Sequence, residues 1–190
     1  DSLIYTTRGT VQRAYGEVGL PGGDLKFYKL NYQHQKFFPL TKDITLMLNG
    51  EYGFGDGYGG EPLPFFRHFY AGGIGSVRGF KSGSLGPHDD PPNHKDALGG
   101  NKRLVANAEF LMPIPGIGLD KSFRFGGFAD AGYVWATSQK MRLSDLRYSI
   151  GISVAWSSPF GPLKFSIAQP LNKKSGDQIE RFQFQMGTSF

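Results

Sequence analysis

The chain has 190 residues, with 28 Gly, 17 Phe and 9 Tyr but no Cys, which points to strands and tight turns and excludes disulfides and thiolate metal sites. Its net charge of +5 suits anionic lipid headgroups, yet no dense Lys/Arg block is present, which argues against nucleic acid as a partner. No apolar run approaches the ~20 residues of a spanning helix. That excludes a helical membrane protein but not a barrel, whose strands alternate lipid-facing with lumen-facing side chains and keep the mean hydropathy low.

Eight strands of about ten residues, the length of a tilted barrel strand, are expected in chain order. The first spans 8–18 and stops at the turn Leu20-Pro21-Gly22-Gly23-Asp24. The second, 27–38, sets Tyr28, Leu30 and Tyr32 against Lys29, Asn31, Gln33 and Gln35, and residues 39–43 turn it. In the third, 44–55, Ile44, Leu46, Leu48, Tyr52 and Phe54 share the apolar face opposite Thr45, Asn49 and Glu51. Residues 56–98 form a long excursion rich in Gly, Pro and His, and connections of that length are usually functional. The fourth strand, 101–112, places Leu104, Ala106, Ala108 and Phe110 outside and Arg103, Asn107 and Glu109 inside.

The fifth, 122–136, reads Phe123, Phe125, Ala129, Ala131, Tyr133 and Trp135 outward, with Arg124 and Asp130 inward. The sixth, 145–157, alternates Tyr148, Ile150, Ile152, Val154 and Trp156 with Arg147, Ser149, Gly151, Ser153 and Ala155. A tight turn over 159–162 leads to the seventh strand, 163–169, and residues 171–178 loop into the eighth, 179–190. There Phe182, Phe184, Met186 and Phe190 fall on one face and Gln183, Gln185 and Ser189 on the other.

A soluble β-sandwich is the alternative for any one such strand. The number of strands sharing one polar and one aromatic face favours an all-β fold, a transmembrane antiparallel β-barrel. Tyr133, Trp135, Trp156, Phe160 and Phe190 cluster toward strand ends, where membrane barrels carry interfacial girdles. Short connections after the second and sixth strands and the long one after the third fit periplasmic turns and outer loops. Residues 1–15 lack the basic start and apolar core of a signal peptide, so the chain reads as an internal or C-terminal piece of a longer precursor.

Catalytic signals are weak. Gly73-Ile74-Gly75 lacks the following amphipathic helix of a phosphate-binding loop and reads as tight backbone turns. His88, Asp89, Asp90, His94 and Asp96 are metal-donor types, but the interspersed Pro91, Pro92 and Asn93 suggest an outer loop and no metal site. With no Ser/His/acid set and no paired-carboxylate cleft, no enzymatic chemistry is expected.

Within the excursion, Phe69-Tyr70-Ala71-Gly72-Gly73-Ile74-Gly75-Ser76-Val77-Arg78-Gly79-Phe80, with its core Val77-Arg78-Gly79-Phe80, resembles the signature loop of the BamA family. Gly53-Phe54-Gly55-Asp56-Gly57, Ser158-Pro159-Phe160-Gly161-Pro162-Leu163 and the terminal strand match in the same order, so the resemblance covers essentially all 190 residues. It implies a sixteen-stranded barrel in the outer membrane of a Gram-negative bacterium, preceded by POTRA domains, that inserts other barrel proteins. By that resemblance residues 1–190 are the C-terminal eight strands, with the POTRA domains and the first eight strands absent. The implied partners are outer-membrane lipids, client β-barrel proteins and accessory periplasmic lipoproteins, and no cofactor is implied.

Geometry agrees that strands are missing, since an eight-stranded barrel has room for side chains only and the excursion needs a wider lumen. Strand edges in hydrocarbon must pair with the missing strands, with each other or with another copy, so an isolated fragment closes on itself or self-associates.

A guanidinium keeps its charge, so Arg78 inside a barrel calls for acidic partners, and alternation aims Glu109 and Asp130 at the lumen from adjacent strands. The residues alone read as three separate solvated lumen charges, whereas the resemblance implies that Arg78 reaches both carboxylates and pins the loop. It also implies a weak seam between first and last strands that opens to template a client strand. Ile179, Phe182, Phe184, Met186, Gly187 and Phe190 would form the seam strand. Gly187 there reads equally as a point of weak packing or as a wall glycine relieving crowding. The rivals are a two-partner secretion translocator, which shares the barrel and an arginine loop motif, a passive porin-like channel, and a structural or antigenic surface protein.

Overall fold

The alternating segments pair into one antiparallel sheet. A computed structural model describes residues 6–20, 22–23, 25–89, 96–114, 122–158 and 161–187. Strands β1 (Gly9–Val18), β2 (Phe27–Pro39), β3 (Thr45–Gly57), β5 (Lys102–Pro113), β6 (Phe123–Trp135), β7 (Arg147–Ser158), β8 (Gly161–Pro170) and β10 (Phe182–Met186) neighbour one another in that order in an eight-stranded sheet. Two short strands, β4 (Gly79–Phe80) and β9 (Ile179–Glu180), pair separately. Among the described residues β1 and β10 each have one wall neighbour, so the sheet is open at both edges.

Local chemistry sets the hairpins. Between β2 and β3 the Thr41 hydroxyl accepts hydrogen bonds from the Asp43 and Ile44 amides (3.2 and 3.0 Å), which turns the chain before Thr45 pairs with Pro39. Pairing then fixes which inward side chains meet. Asn107 lies opposite Asp130, and Ser149 in turn lies opposite Asp130 from the other side.

Burial is inverted relative to a water-soluble sheet. Ile150 and Ile152 are each 47% exposed, whereas Glu109 on the other face is 1% exposed. Asp130, Ser149, Ser153, Ser166 and Gln183 are buried on that polar face, while Leu30, Leu48, Phe110, Ile167 and Phe184 stand exposed on the apolar one. A sheet that hides polar groups and displays aliphatic and aromatic ones is built for a lipid exterior.

The apolar core lies inside, between the sheet and the excursion. Ala71, Val77, Phe80 and Leu85 of the excursion pack on Val105 of β5 and Val134 of β6, with Tyr133 alongside. Each fully buried Val, Leu or Phe side chain contributes about 1.5–3 kcal/mol, so this contact alone gives the excursion reason to fold inward. Short bridges order the rest, pairing Phe69 with Gly100 and Ala71 with Leu85.

Three expectations need correction. The eighth strand is not continuous over 179–190: Ile179 and Glu180 leave the wall to pair with Phe80 and Gly79, and wall pairing is confined to Phe182–Met186 against β8. Gly187 follows that strand with φ +88°, a left-handed conformation, its amide bonded to the Pro162 carbonyl at 3.0 Å. Phe190, like Phe160, lies outside the described residues. Trp135 is no exposed girdle residue: it is buried, its indole N–H donating to Asp145 Oδ2 (3.0 Å) from the turn Leu143–Asp145. Lastly, Asp145 belongs to that turn and β7 begins at Arg147.

Candidate functional site

The site is built where the excursion meets β5 and β6. Gly79 has φ +88°, and a Cβ there would sit 3.0 Å from Ala168 Cβ and 3.3 Å from Pro170. Only glycine satisfies both demands, and the turn it makes sends its two neighbours to different tasks. Phe80 enters the apolar core, and Arg78 faces the wall.

Arg78 is 2% exposed and surrounded by acceptors. Its Nε and Nη2 donate to Asp130 Oδ2 and Oδ1 at 2.7 and 2.8 Å, a bidentate fork, and its backbone amide donates to Oδ2 at 3.0 Å. The third arm, Nη1, donates to Glu109 Oε2 at 3.0 Å. The guanidinium also lies over the Phe128 ring, 3.4 Å from its centroid. Burial opposes the charge, but Asp130 and Glu109 outweigh it and raise the Arg78 pKa above its ordinary value.

Lys164, Ser153 and Asn107 complete the neutralisation. Lys164 donates to Glu109 Oε2 at 3.3 Å and the Ser153 hydroxyl donates to Glu109 Oε1. Asn107 Nδ2 donates to Asp130 Oδ1 (2.9 Å) and to the Ser76 carbonyl (2.7 Å), tying loop to wall a second time. Two cations and two carboxylates thus balance in a buried cluster with their hydrogen-bonding capacity largely used, the condition under which a buried ion pair holds.

The structure therefore brings Arg78, Glu109 and Asp130 into direct contact, while Val77 and Phe80 sit in the adjoining core. Asn107, Phe128, Ser153 and Lys164 were not singled out from the sequence as partners. Their inward parity was the available signal, but the strand register that converges them was not. Of the seam residues, Phe182, Phe184 and Met186 are exposed on β10, whereas Gln183 is buried and donates to the Phe80 carbonyl at 2.7 Å. The last wall strand is thereby clasped to the loop motif, with the Lys81 amide bonded to the Gln178 carbonyl at 2.9 Å. Among the candidate metal donors, Asp90 and His94 lie outside the described residues.

An antiparallel wall, apolar outside, with an inward loop pinned by a buried arginine defines a membrane β-barrel whose lumenal face is covered by its own loop. The chain belongs to the Omp85 superfamily, whose domain it matches over residues 1–190. It is 44% identical over 216 aligned residues to the outer membrane protein assembly factor BamA of Neisseria meningitidis serogroup B, covering all of this chain and 27% of that protein. Identity to BamA of Nitratidesulfovibrio vulgaris is 32% over 196 residues, covering all of this chain and 24% of that relative. The fold is similar to the crystal structure of BamA from Haemophilus ducreyi lacking POTRA domains 1–3, with a TM-score of 0.86, 32% identity, and coverage of 95% of this chain and 38% of that one. The chain thus spans about a quarter of the length of these two assembly-factor relatives.

Proposed function

We propose that the chain is the C-terminal part of the barrel domain of an assembly factor that folds β-barrel proteins and inserts them into the outer membrane of a Gram-negative bacterium. The observation that carries this reading is the buried Arg78 clasp, which seats the loop motif on β5 and β6, with Phe80 of the same motif tied to Gln183 of the last wall strand. Among the described residues β10 (Phe182–Met186) has β8 as its partner strand and ends the sheet, so it is the strand that meets the rest of a larger barrel at a seam. In the assembled protein the eight wall strands join further strands in a larger barrel, and the short β10 forms one side of a seam that opens laterally. Client strands add to that edge in turn. The work is templated hydrogen bonding and involves no covalent chemistry, metal or cofactor.

Membrane lipids and client barrels are the partners, and accessory periplasmic lipoproteins follow from the likeness to BamA. The inward loop favours this reading over an open porin or translocator pore, because the motif is packed against the lumenal face and not held aside. The test is reconstitution of the full-length protein in liposomes with an unrelated unfolded outer-membrane protein as client. Accelerated client folding, read by gel mobility without heating, is expected. A disulfide across the seam, from Gln185→Cys to the first strand of the full-length barrel, should abolish the acceleration. A large steady conductance with no effect on client folding would replace the assembly reading with a channel.

A further inference from the structure

Where β9 leaves the wall, Arg181 stands exposed between β9 and β10. Its carbonyl keeps one wall contact, accepting the Ala168 amide at 2.9 Å, but the residues before it run inward to β4. Unbroken alternation would set Arg181 beside Gln183 in the lumen. Instead Arg181 is exposed and lines a groove on the apolar face together with Phe110, Gly127, Ala129, Ile150 and Ile152. A break in pairing that re-aims one side chain is the usual consequence of a bulge.

The groove exists because Gly127 contributes no side chain and Ala129 a small one between the larger neighbours. A Cβ built on Gly127 would meet nothing within 4 Å. Arg181 shares this groove with Ile167 and Gln169 of β8, Ile150 and Ile152 of β7 and Gly127 and Ala129 of β6. Among the described residues its guanidinium has no ion pair or side-chain hydrogen bond. The neighbouring Glu180 carboxylate is turned to the other side, where it accepts from Gln183 at 3.4 Å. Arg181 stands opposite Ala168, two residues before β8 ends at Pro170. That is roughly 7 Å along the strand, within the span over which a long cationic side chain reaches a membrane interface. An uncompensated guanidinium on a lipid-facing wall calls for an anion, and its planar fork fits phosphate.

We propose that this groove is a binding site for an anionic membrane lipid, with Arg181 holding the headgroup phosphate and one acyl chain lying over Gly127 and Ala129 between Phe110 and the two isoleucines. The inference rests on the membrane reading of the apolar face and goes beyond the assembly role. The full-length protein is inserted into nanodiscs of phosphatidylcholine containing phosphatidylglycerol, released into detergent, and its retained lipids are counted by native mass spectrometry. The unaltered protein should keep one phosphatidylglycerol. Arg181→Gln should reduce retention about tenfold, the factor for losing ~1.4 kcal/mol of charge-assisted binding. Gly127→Leu keeps the charge but fills the groove, and should give the same loss. Undiminished retention in either variant overturns the site. A protein that stays out of the bilayer overturns the membrane reading itself, a distinct failure.

Discussion

Replacing Arg78 by Ala leaves the Asp130 and Glu109 carboxylates, 3% and 1% exposed, with Lys164 as their remaining cation in the cluster. Breaking a buried, hydrogen-bonded ion pair costs about 3–5 kcal/mol, so the docked loop should be weakened roughly 10²–10⁴-fold. The contacts are unequal. Asp130 accepts two guanidinium bonds at 2.7 and 2.8 Å and the Arg78 amide at 3.0 Å, whereas Glu109 accepts one arm at 3.0 Å and shares itself with Ser153 and Lys164. A double-mutant cycle of Arg78→Ala with Asp130→Asn should therefore show coupling of about 2–4 kcal/mol, and the cycle with Glu109→Gln about 1 kcal/mol. Native-state hydrogen exchange is the assay, read at the Gly73 amide, which bonds to the Phe80 carbonyl at 2.9 Å. Coupling to Asp130 below about 0.5 kcal/mol, or a larger coupling to Glu109, would refute the tether as the force that seats the loop.

Gly132→Ala puts a methyl 2.7 Å from Val77 Cγ2 and 2.8 Å from the Leu104 carbonyl, so it should destabilise loop docking by about 1–3 kcal/mol, and adding Val77→Ala should recover part of the exchange protection. Gln183→Leu removes the donor to the Phe80 carbonyl; exchange at the Lys81 amide should rise about tenfold while amides in β5 and β6 are unchanged. Arg147 and Asp177 form a buried pair at 2.6 and 3.1 Å that holds the connection over 171–178, so Asp177→Asn should speed proteolytic cleavage there without altering membrane insertion.

Period-two alternation carried the wall. Tyr148 to Val154 show it plainly, because a strand between lipid and lumen must separate the two kinds of side chain residue by residue. What alternation cannot reveal is register: nothing local in the sequence says that Asn107 faces Asp130 or that Lys164 arrives beside Glu109. The contact of Arg78 with its two carboxylates was implied by the loop motif's likeness to BamA, while the residues alone read as separate charges. The break at Arg181 was hidden for a related reason. Ile179 lies three residues before Phe182, out of phase with Phe182, Phe184 and Met186, but its partner is a two-residue strand of the excursion about a hundred positions earlier, which no local pattern points to. Trp135 misled because an aromatic at a strand end reads as a lipid anchor unless a nearby carboxylate, here Asp145, claims its N–H.

One glycine separates the residue locked to β5 and β6 from the residue whose carbonyl grips the final wall strand. Plug and last stave are consequently geared together: traction that draws β10 sideways loads Gln183, then Phe80, then the guanidinium two positions away. Moving that stave far would therefore either part this one hydrogen bond, at a cost of about 1 kcal/mol, or draw the cork along with it.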